Sequence, residues 1–234
     1  MPGTKITWLG HSTVSIELPD GKVILIDPWI EGNPSYPAGH ELERVDAVLI
    51  THGHVDHFND AVSIAKKFNP TTVAIYEICQ WLGGKGVEKM EPMNKGGSID
   101  VAGVKVTMTH AQHSSMIDDG GQMVYAGEAA GYVVRLPDGR ALYHAGDTNV
   151  FSDMQLIRDL HGPKLAMLPI GDRFTMDPCE AALACKFLEP THVLPIHWGT
   201  FPLLTGTPDQ LKGLLNDQTG VQVIETKPGE AFEW

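Results

Sequence analysis

The chain has 234 residues, of which 42% are hydrophobic and 20% are charged. Its 17 Lys and Arg against 29 Asp and Glu give a formal net charge of −12 with histidine neutral. This mixture can bury a core, which excludes global disorder. The acidic balance disfavours nucleic-acid binding as the main activity, because that affinity rests largely on Lys and Arg.

The cysteines and the start of the chain indicate a cellular compartment. An odd set of three thiols, without CxxC spacing, is present at Cys79, Cys179 and Cys185. Such a set does not predict a disulfide framework. The chain starts without the basic and apolar stretches of a secretory signal. No run approaches the ~20 apolar residues of a membrane span. We therefore expect a cytoplasmic protein with reduced thiols and no membrane span.

The first half of the chain consists mostly of predicted strands. Short β-rich runs occur at residues 6–9, 14–18, 23–26, 47–51, 72–76 and 104–109. The Pro-Asp-Gly sequence at 19–21 predicts a hairpin between the second and third runs. The continuous apolar run at 47–51 is typical of a strand that is covered on both faces. A helix is predicted over 59–68, with Asn59 as its cap, because its apolar residues share one face.

The second half repeats this style. Further strands are predicted at 131–136, 141–144, 165–170 and 193–197, and a Pro-Asp-Gly turn joins the first two. Asp177 and Thr207, each followed by proline, predict the starts of two helices. The second of these helices ends near Gly220. Strands and helices interleave without a linker-like segment, so we predict a single layered α/β domain over residues 1–234.

A long irregular segment, 29–44, separates two predicted strands. It is rich in proline and glycine. Loops of this length in a compact protein are often functional lids. A plain surface connection explains the composition equally well, and the sequence leaves both interpretations open.

The segment 51–57, THGHVDH, follows directly on a predicted apolar strand. It offers the imidazoles of His52, His54 and His57 and the carboxylate of Asp56. Imidazole nitrogen and carboxylate oxygen bind zinc and similar ions at about 2.0–2.2 Å. Four ligands from one short loop cannot easily reach a single ion. Placing His52 and His54 on one ion, with Asp56 and His57 on a second, relieves that strain.

Other candidate ligands also follow predicted strands. They are His110 and His113, Asp147 in the HAGDT sequence, and His197. A lone histidine after a strand is usually a surface or hydrogen-bonded residue. The crowding in HxHxDH reverses this expectation, because so many groups at one strand end would stay unpaired without a cation. The sequence therefore predicts a metal centre at one edge of a sheet.

Together these motifs resemble the metallo-β-lactamase superfamily. The resemblance includes HxHxDH, the upstream Asp27, a mid-chain histidine, the aspartate of GDT and a late histidine, and it runs over about residues 8–234. The accessory stretches are WLGHST, HAGDT, PIGDRFTM and IHWGTFP. With them the chain is similar to a branch of small predicted metal-dependent hydrolases. That branch is near the bacterial ascorbate-6-phosphate lactonases and, more distantly, the phospholipase D that cleaves N-acyl phosphatidylethanolamines.

The resemblance implies a four-layer αβ/βα sandwich with a dinuclear site. Its ligand sets would be His52, His54 and His113 for one ion and Asp56, His57 and His197 for the other, with Asp147 as the bridge. Asp27 would orient the His-rich loop. His113 is preferred to His110 because the match falls at the His-Ser-Ser step. Zinc is the first expectation for both ions. Manganese, iron, cobalt and nickel also suit such ligands, according to supply.

The expected reaction is hydrolysis of a small ester, lactone or phosphoester by a metal-bridging hydroxide. Asp56 is a ligand that can also accept the proton of the nucleophile. The proton for the leaving group has three candidate donors, His11, His144 and Asp172. We carry His144 forward as the catalytic candidate, although support of Asp147 is an equal reading of that residue.

Two other functions stay open at this point. The first is a phosphodiesterase or nuclease of the same fold, which the net charge of −12 disfavours. The second is a metal-binding scaffold or sensor without catalysis, or an oxygen-reducing diiron protein, although the chain has no room for a flavin domain. We expect a small-molecule substrate, including an anionic one because the ions make the pocket cationic. The sequence does not decide whether copies of the chain associate.

Overall fold

The computed structural model describes residues 3–234, apart from the side chains of residues 216–219. Its strands are β1 (Lys5–Trp8), β2 (Val14–Glu17), β3 (Val23–Ile26), β4 (Ala47–Leu49), β5 (Thr71–Ile75), β6 (Met90–Met93), β7 (Ser98–Val101), β8 (Val104–His110), β9 (Met116–Asp119), β10 (Gln122–Tyr125), β11 (Ala130–Arg135), β12 (Ala141–His144), β13 (Leu165–Pro169), β14 (His192–Ile196), β15 (Gln222–Val223) and β16 (Ala231–Glu233). Its helices are α1 (Val55–Phe58), α2 (Ala61–Phe68), α3 (Tyr76–Gly84), α4 (Met154–His161), α5 (Pro178–Leu188) and α6 (Pro208–Thr219).

Within this described part of the chain the strands form two seven-stranded sheets and a separate hairpin. Sheet 1 has the order β16-β1-β2-β3-β4-β5-β6, and sheet 2 has the order β15-β14-β13-β12-β11-β8-β7. The hairpin consists of β9 and β10. Both predicted Pro-Asp-Gly turns join antiparallel neighbours, β2 with β3 and β11 with β12.

The two sheets share one apolar core. It contains Ile26 and Leu49 from sheet 1 together with Met108 and Tyr132 from sheet 2. The same cluster includes apolar side chains of α2 and α3, which cover sheet 1. A second cluster joins sheet 2 to α4, α5 and α6. Helices and sheets therefore stack in four layers, which confirms the predicted αβ/βα sandwich.

Strand direction brings distant loops to one edge. β3 and β4 run in parallel, as do β12, β13 and β14. β8 and β12 both run antiparallel to β11 and so share one direction. The segments that follow the carboxyl ends of these strands carry the residues singled out in the sequence. This is the physical reason that strand-end residues far apart in the chain can meet.

The helix starts show where local signals succeed and where they fail. The side chain of Asp177 accepts from the backbone of Glu180, and Thr207 forms a capping box, so both predicted starts are confirmed. The sequence predicts Asn59 as the cap of α2, but the structure does not place it there. The short helix α1 precedes it and ends on Asn59, so that α2 begins at Ala61 after Asp60. No helix in the described residues has the length and apolar character needed to cross a membrane.

Candidate metal centre

Asp27 fixes the His-rich loop, residues 51–57, through hydrogen bonds. Its fully buried carboxylate accepts hydrogen bonds from the backbone N–H of Thr51 at 2.8 Å and from the Thr51 hydroxyl at 2.7 Å. It also accepts from Nδ1 of His57 at 2.7 Å. An ionised carboxylate only accepts, so Nδ1 of His57 carries a proton and Nε2 is the ring nitrogen left to face the other side chains. That Nε2 is buried and has no hydrogen-bond partner.

Three imidazoles form a first group, His52, His54 and His113. The Thr51 hydroxyl donates to Asp27 and therefore accepts from Nδ1 of His52 at 3.0 Å, which leaves Nε2 of His52 without a proton. That Nε2 lies 3.0 Å from Nδ1 of His54, which is 3.3 Å from Nε2 of His113. Burial is the main cause that lowers the pKa of all three side chains. They are therefore neutral at pH 7, the state in which imidazole binds a metal.

A second group contains His11, Asp56, His57 and His197, whose nearest nitrogen and oxygen atoms all lie within 4.8 Å of one another. Nε2 of His197 is 3.9 Å from Oδ2 of Asp56. Burial raises the pKa of Asp56, but the hydrogen bond from His11 and the charge of His57 outweigh it and hold the pKa below its usual value. Burial is also the main cause that lowers the pKa of His11 to about 4.

Asp147 lies between the two groups. Its Oδ1 is 3.3 Å from Nε2 of His57, and its Oδ2 is 3.1 Å from Nε2 of His197 and 3.7 Å from Nε2 of His113. The side chain is buried, and Oδ1 has no hydrogen-bond partner. Burial raises the pKa of Asp147, but the neighbouring His197 and His57 lower it well below its usual value. The carboxylate therefore contacts both groups.

These residues fit divalent metal ions. Burial lowers the pKa of His57, yet the carboxylates of Asp147 and Asp27 outweigh burial and raise it well above the usual value. The space between these side chains therefore favours positive charge. The unpartnered Nε2 of His57 and Oδ1 of Asp147 converge there. Imidazole nitrogens and carboxylate oxygens are the ligands that zinc and related ions take.

The remaining sequence candidates lie elsewhere. His110 is exposed, and its Nδ1 accepts from the ammonium group of Lys95 at 3.1 Å. His144 is buried, donates from Nε2 to the carbonyl of Ser12 and accepts at Nδ1 from the backbone of Gly146. Asp172 is exposed in a turn after β13. Of the two mid-chain histidines, the fold thus brings His113 to the cluster and leaves His110 outside. Neither ring nitrogen of His144 is free.

A tight contact fixes the loop against the β9–β10 hairpin. A Cβ atom on Gly53 would lie 2.8 Å from the side chain of Ile117 and 2.9 Å from both Ala126 and the carbonyl of Met116. The backbone N–H of Gly53 donates to the Ser115 hydroxyl at 3.2 Å. The close approach of two backbones here requires glycine.

The cluster opens to a cavity of about 470 Å³. Its lining contains five of the candidate ligands together with apolar side chains, among them Val55, Met116 and Phe174. Val55 and Phe174 are exposed. The cavity has the size of a small-molecule site. The full lining is His54, Val55, Asp56, His113, Ser114, Met116, Asp118, Asp147, Phe174 and His197.

Comparison with known proteins identifies the family. A family model described as the β-lactamase superfamily domain matches residues 22–198, which contain the His-rich loop, Asp147 and His197. The chain belongs to the metallo-β-lactamase superfamily. Membership confirms the expectation drawn from the sequence motifs.

Relatives match this superfamily member over nearly its whole length. A UPF0173 metal-dependent hydrolase of Solibacter usitatus is 56% identical over 231 residues, 98% of this chain and 100% of the relative. One of Koribacter versatilis is 51% identical over 233 residues, 99% of each chain. The solved structure of Igni18, a metallo hydrolase from Ignicoccus hospitalis, is 37% identical with a TM-score of 0.86 and covers 99% of both chains. The chain is accordingly a metal-dependent hydrolase of the superfamily.

The sequence alone missed part of the support of this site. Thr51, whose hydroxyl donates to Asp27 and sets the proton position of His52, was read only as the end of a strand. Ser115 and Thr200, which contact Gly53 and His11, were not singled out. Adjacency to the HxHxDH motif is the one signal that could have identified Thr51. Thr200 meets His11 across 189 positions of sequence, and no local pattern reports such a contact.

Proposed function

We propose that the chain hydrolyses a small ester, lactone or phosphoester at a centre of two divalent ions. The observation that carries this proposal is the convergence of seven imidazole and carboxylate side chains, five of which line an open cavity. Zinc is the first candidate for the ions, and manganese, iron, cobalt and nickel suit the same ligands.

The grouping of the nitrogen and oxygen atoms supports the division of ligands that the family resemblance implies. His52, His54 and His113 would hold one ion, and Asp56, His57 and His197 would hold the other. Asp147 would bridge, which is supported by the contact of its two oxygens with His57, His197 and His113. Asp27 would keep Nε2 of His57 available by accepting its other ring proton.

Bound divalent ions supply Lewis acidity, which polarises a substrate oxygen and lowers the pKa of water to about 7. The side chains do the remaining work. Asp56 is held ionised by its neighbours. One of its oxygens contacts His11, which leaves the other to accept a proton from the attacking water. His144 has both ring nitrogens bonded to backbone, which supports a role in holding the loop that carries Asp147.

The cavity restricts the substrate. Its lining contains the carboxylates of Asp56, Asp118 and Asp147 and no Lys or Arg. Any negative charge on a substrate would therefore be met by the ions. The apolar side chains of Val55, Met116 and Phe174 would contact the part of the substrate that does not react. A volume of about 470 Å³ suits a small molecule and not a folded nucleic acid.

The test is an activity screen of purified protein loaded in turn with each candidate metal, against lactones, esters and phosphodiesters. We expect metal-dependent turnover that Asp147→Ala abolishes, with a loss beyond the roughly 10–100-fold that outer-shell changes cause. Asp100→Ala, which removes an exposed carboxylate with no place in the cavity, is the matched control. Absence of turnover by fully loaded protein across the panel would refute the proposed hydrolysis of small esters, lactones and phosphoesters. An Asp147→Ala variant that keeps both ions and full activity would refute the bridging role.

A further inference from the structure

His11 belongs to the second group and lies in the turn that follows β1. Its side chain is fully buried, and its φ of 52° is in the left-handed region that most residues avoid. The carbonyl oxygen of His11 accepts from Nε1 of Trp8 at 2.8 Å and from the backbone N–H of His197 at 2.9 Å. Two other residues therefore hold the backbone of His11 in place, and one of them, His197, is a candidate ligand.

Both ring nitrogens of His11 have polar partners. Nε2 lies 3.0 Å from Oδ2 of Asp56, and Nδ1 lies 2.9 Å from the hydroxyl oxygen of Thr200. The rings of Trp29 and Phe201 meet the imidazole edge-on, with centroids 5.0 and 5.7 Å away. Aromatic walls and two polar contacts thus leave the ring a single orientation.

The donor at each of these contacts follows from the groups that can donate or accept a proton. An ionised Asp56 can only accept, so Nε2 of His11 must donate to it. In a neutral imidazole the other nitrogen is then an acceptor, so the Thr200 hydroxyl donates to Nδ1. The Ser35 hydroxyl in turn donates to Thr200 at 3.4 Å. The direction of donation is therefore Ser35 to Thr200 to His11 to Asp56.

We propose that His11 is a positioning residue of the metal centre, which fixes the orientation of the Asp56 carboxylate by donation from Nε2 to Oδ2. Thr200 selects the ring tautomer that makes this donation possible. The inference rests on the proposed role of Asp56 as a ligand. It also gives a role to a side chain whose backbone the fold holds in the left-handed region.

Two substitutions of His11 test this role. His11→Asn tolerates the left-handed backbone and can still meet Thr200, but it is too short to reach Asp56. His11→Gln can place its amide N–H near the position of Nε2. We measure the number of bound cobalt ions by mass spectrometry, their affinity by competition with a chelator, and the visible spectrum of the cobalt protein. We expect His11→Asn to lower the affinity for one ion by roughly 10–100-fold, the effect of removing a residue that supports a ligand. His11→Gln should keep most of the original affinity.

Thr200→Val tests the tautomer. It keeps the side-chain shape and removes the donor to Nδ1, so we expect a smaller loss of affinity in the same direction and a shifted cobalt spectrum. Thr205→Val, at an exposed position of the same segment, is the control for Thr200. His192→Gln is the control for His11, because His192 also has a threonine hydroxyl at Nδ1, at 3.0 Å, but lies at the opposite end of β14 from His197. Both controls should match the unaltered protein.

Two outcomes would overturn the proposal. Complete loss of one ion in His11→Gln, as deep as in His57→Ala, would make His11 a ligand instead. Unchanged affinity and spectrum in His11→Asn would leave it no role at the centre. Thermal unfolding of each variant identifies any that fails to fold. None of these measurements needs a substrate, so a failure to hydrolyse any compound would contradict the proposed function alone.

Discussion

Asp27 accepts a hydrogen bond from Nδ1 of His57 at 2.7 Å, and both side chains are fully buried. The same carboxylate accepts from the backbone and the hydroxyl of Thr51. One buried group thus sets the proton position on His57 and the path of the loop that carries it. The contact turns Nε2 of His57 toward Asp147.

Asp27→Asn should therefore weaken metal binding with little change in shape. An amide nitrogen facing His57 would repel its Nδ1–H and favour the tautomer whose proton sits on Nε2, which removes the lone pair a metal needs. We expect an affinity loss of roughly 10–100-fold, measured by chelator competition. Asp46→Asn is the control, because Asp46 also accepts a backbone N–H, from Val23 at 2.8 Å, but has no contact with the cluster. Equal affinities in the two variants would contradict the orienting role.

His113 and His110 should respond differently to removal. His113 is 3.3 Å from Nδ1 of His54, whereas His110 contacts Lys95. We expect His113→Ala to lose at least one metal ion per chain under conditions that saturate the unaltered protein. His110→Ala should keep the full metal content. Mass spectrometry of the intact protein gives both counts, and the reverse pattern would exchange the two assignments.

Metal removal should lower thermal stability. Buried atoms that make no hydrogen bond, such as Nε2 of His57 and Oδ1 of Asp147, lose the proposed ion as a partner in the metal-free protein. An ion at a free concentration of 100 times its Kd stabilises the folded chain by about 2.7 kcal/mol. For a chain of this size that corresponds to a Tm decrease of roughly 5–10 °C on chelation. Scanning calorimetry measures it, with chelator already saturated with zinc as the control. An unchanged Tm would argue against binding to the folded state.

Two glycine substitutions should have opposite signs. Gly53→Ala places a methyl group against the β9–β10 hairpin and should cost about 1–3 kcal/mol of stability, as overpacking does. It should also lower metal affinity, because the His-rich loop must move. Gly213→Ala in α6 meets no atom within 4 Å and should stabilise by about 0.5–1 kcal/mol. Denaturant unfolding compares the two. A neutral Gly53→Ala would mean that the loop has room that the structure does not show.

Much of this site follows from sequence because strand ends are easy to predict. A continuous apolar run predicts a buried strand. Parallel strands place their carboxyl ends at the same edge of the sheet. The polar residues after β4, β8, β12 and β14 could therefore be grouped before any contact was known. Asp27, which follows β3, came from the family resemblance instead.

The missed elements lack such signals. The residues of α3 follow β5 without a turn residue, so the strand prediction ran one residue into the helix at Tyr76. The β9–β10 hairpin is short and largely exposed, with Met123 and Tyr125 facing outward, and its pattern is weak. Residues such as Thr200 act through contacts between distant segments. Local propensity says nothing about partners of that kind.

The fold places the candidate ligands on both sheets. His52 and His57 follow β4 of sheet 1, whereas Asp147 and His197 follow β12 and β14 of sheet 2. All three cysteines are free thiols, so no disulfide ties these segments together. Ions held by both sheets would cross-link segments that are far apart in the chain. Cross-links that close long loops contribute most to stability. Separating the two sheets would then require breaking metal–ligand bonds. The metal centre would therefore stabilise the packing of the two sheets in addition to its role in the reaction.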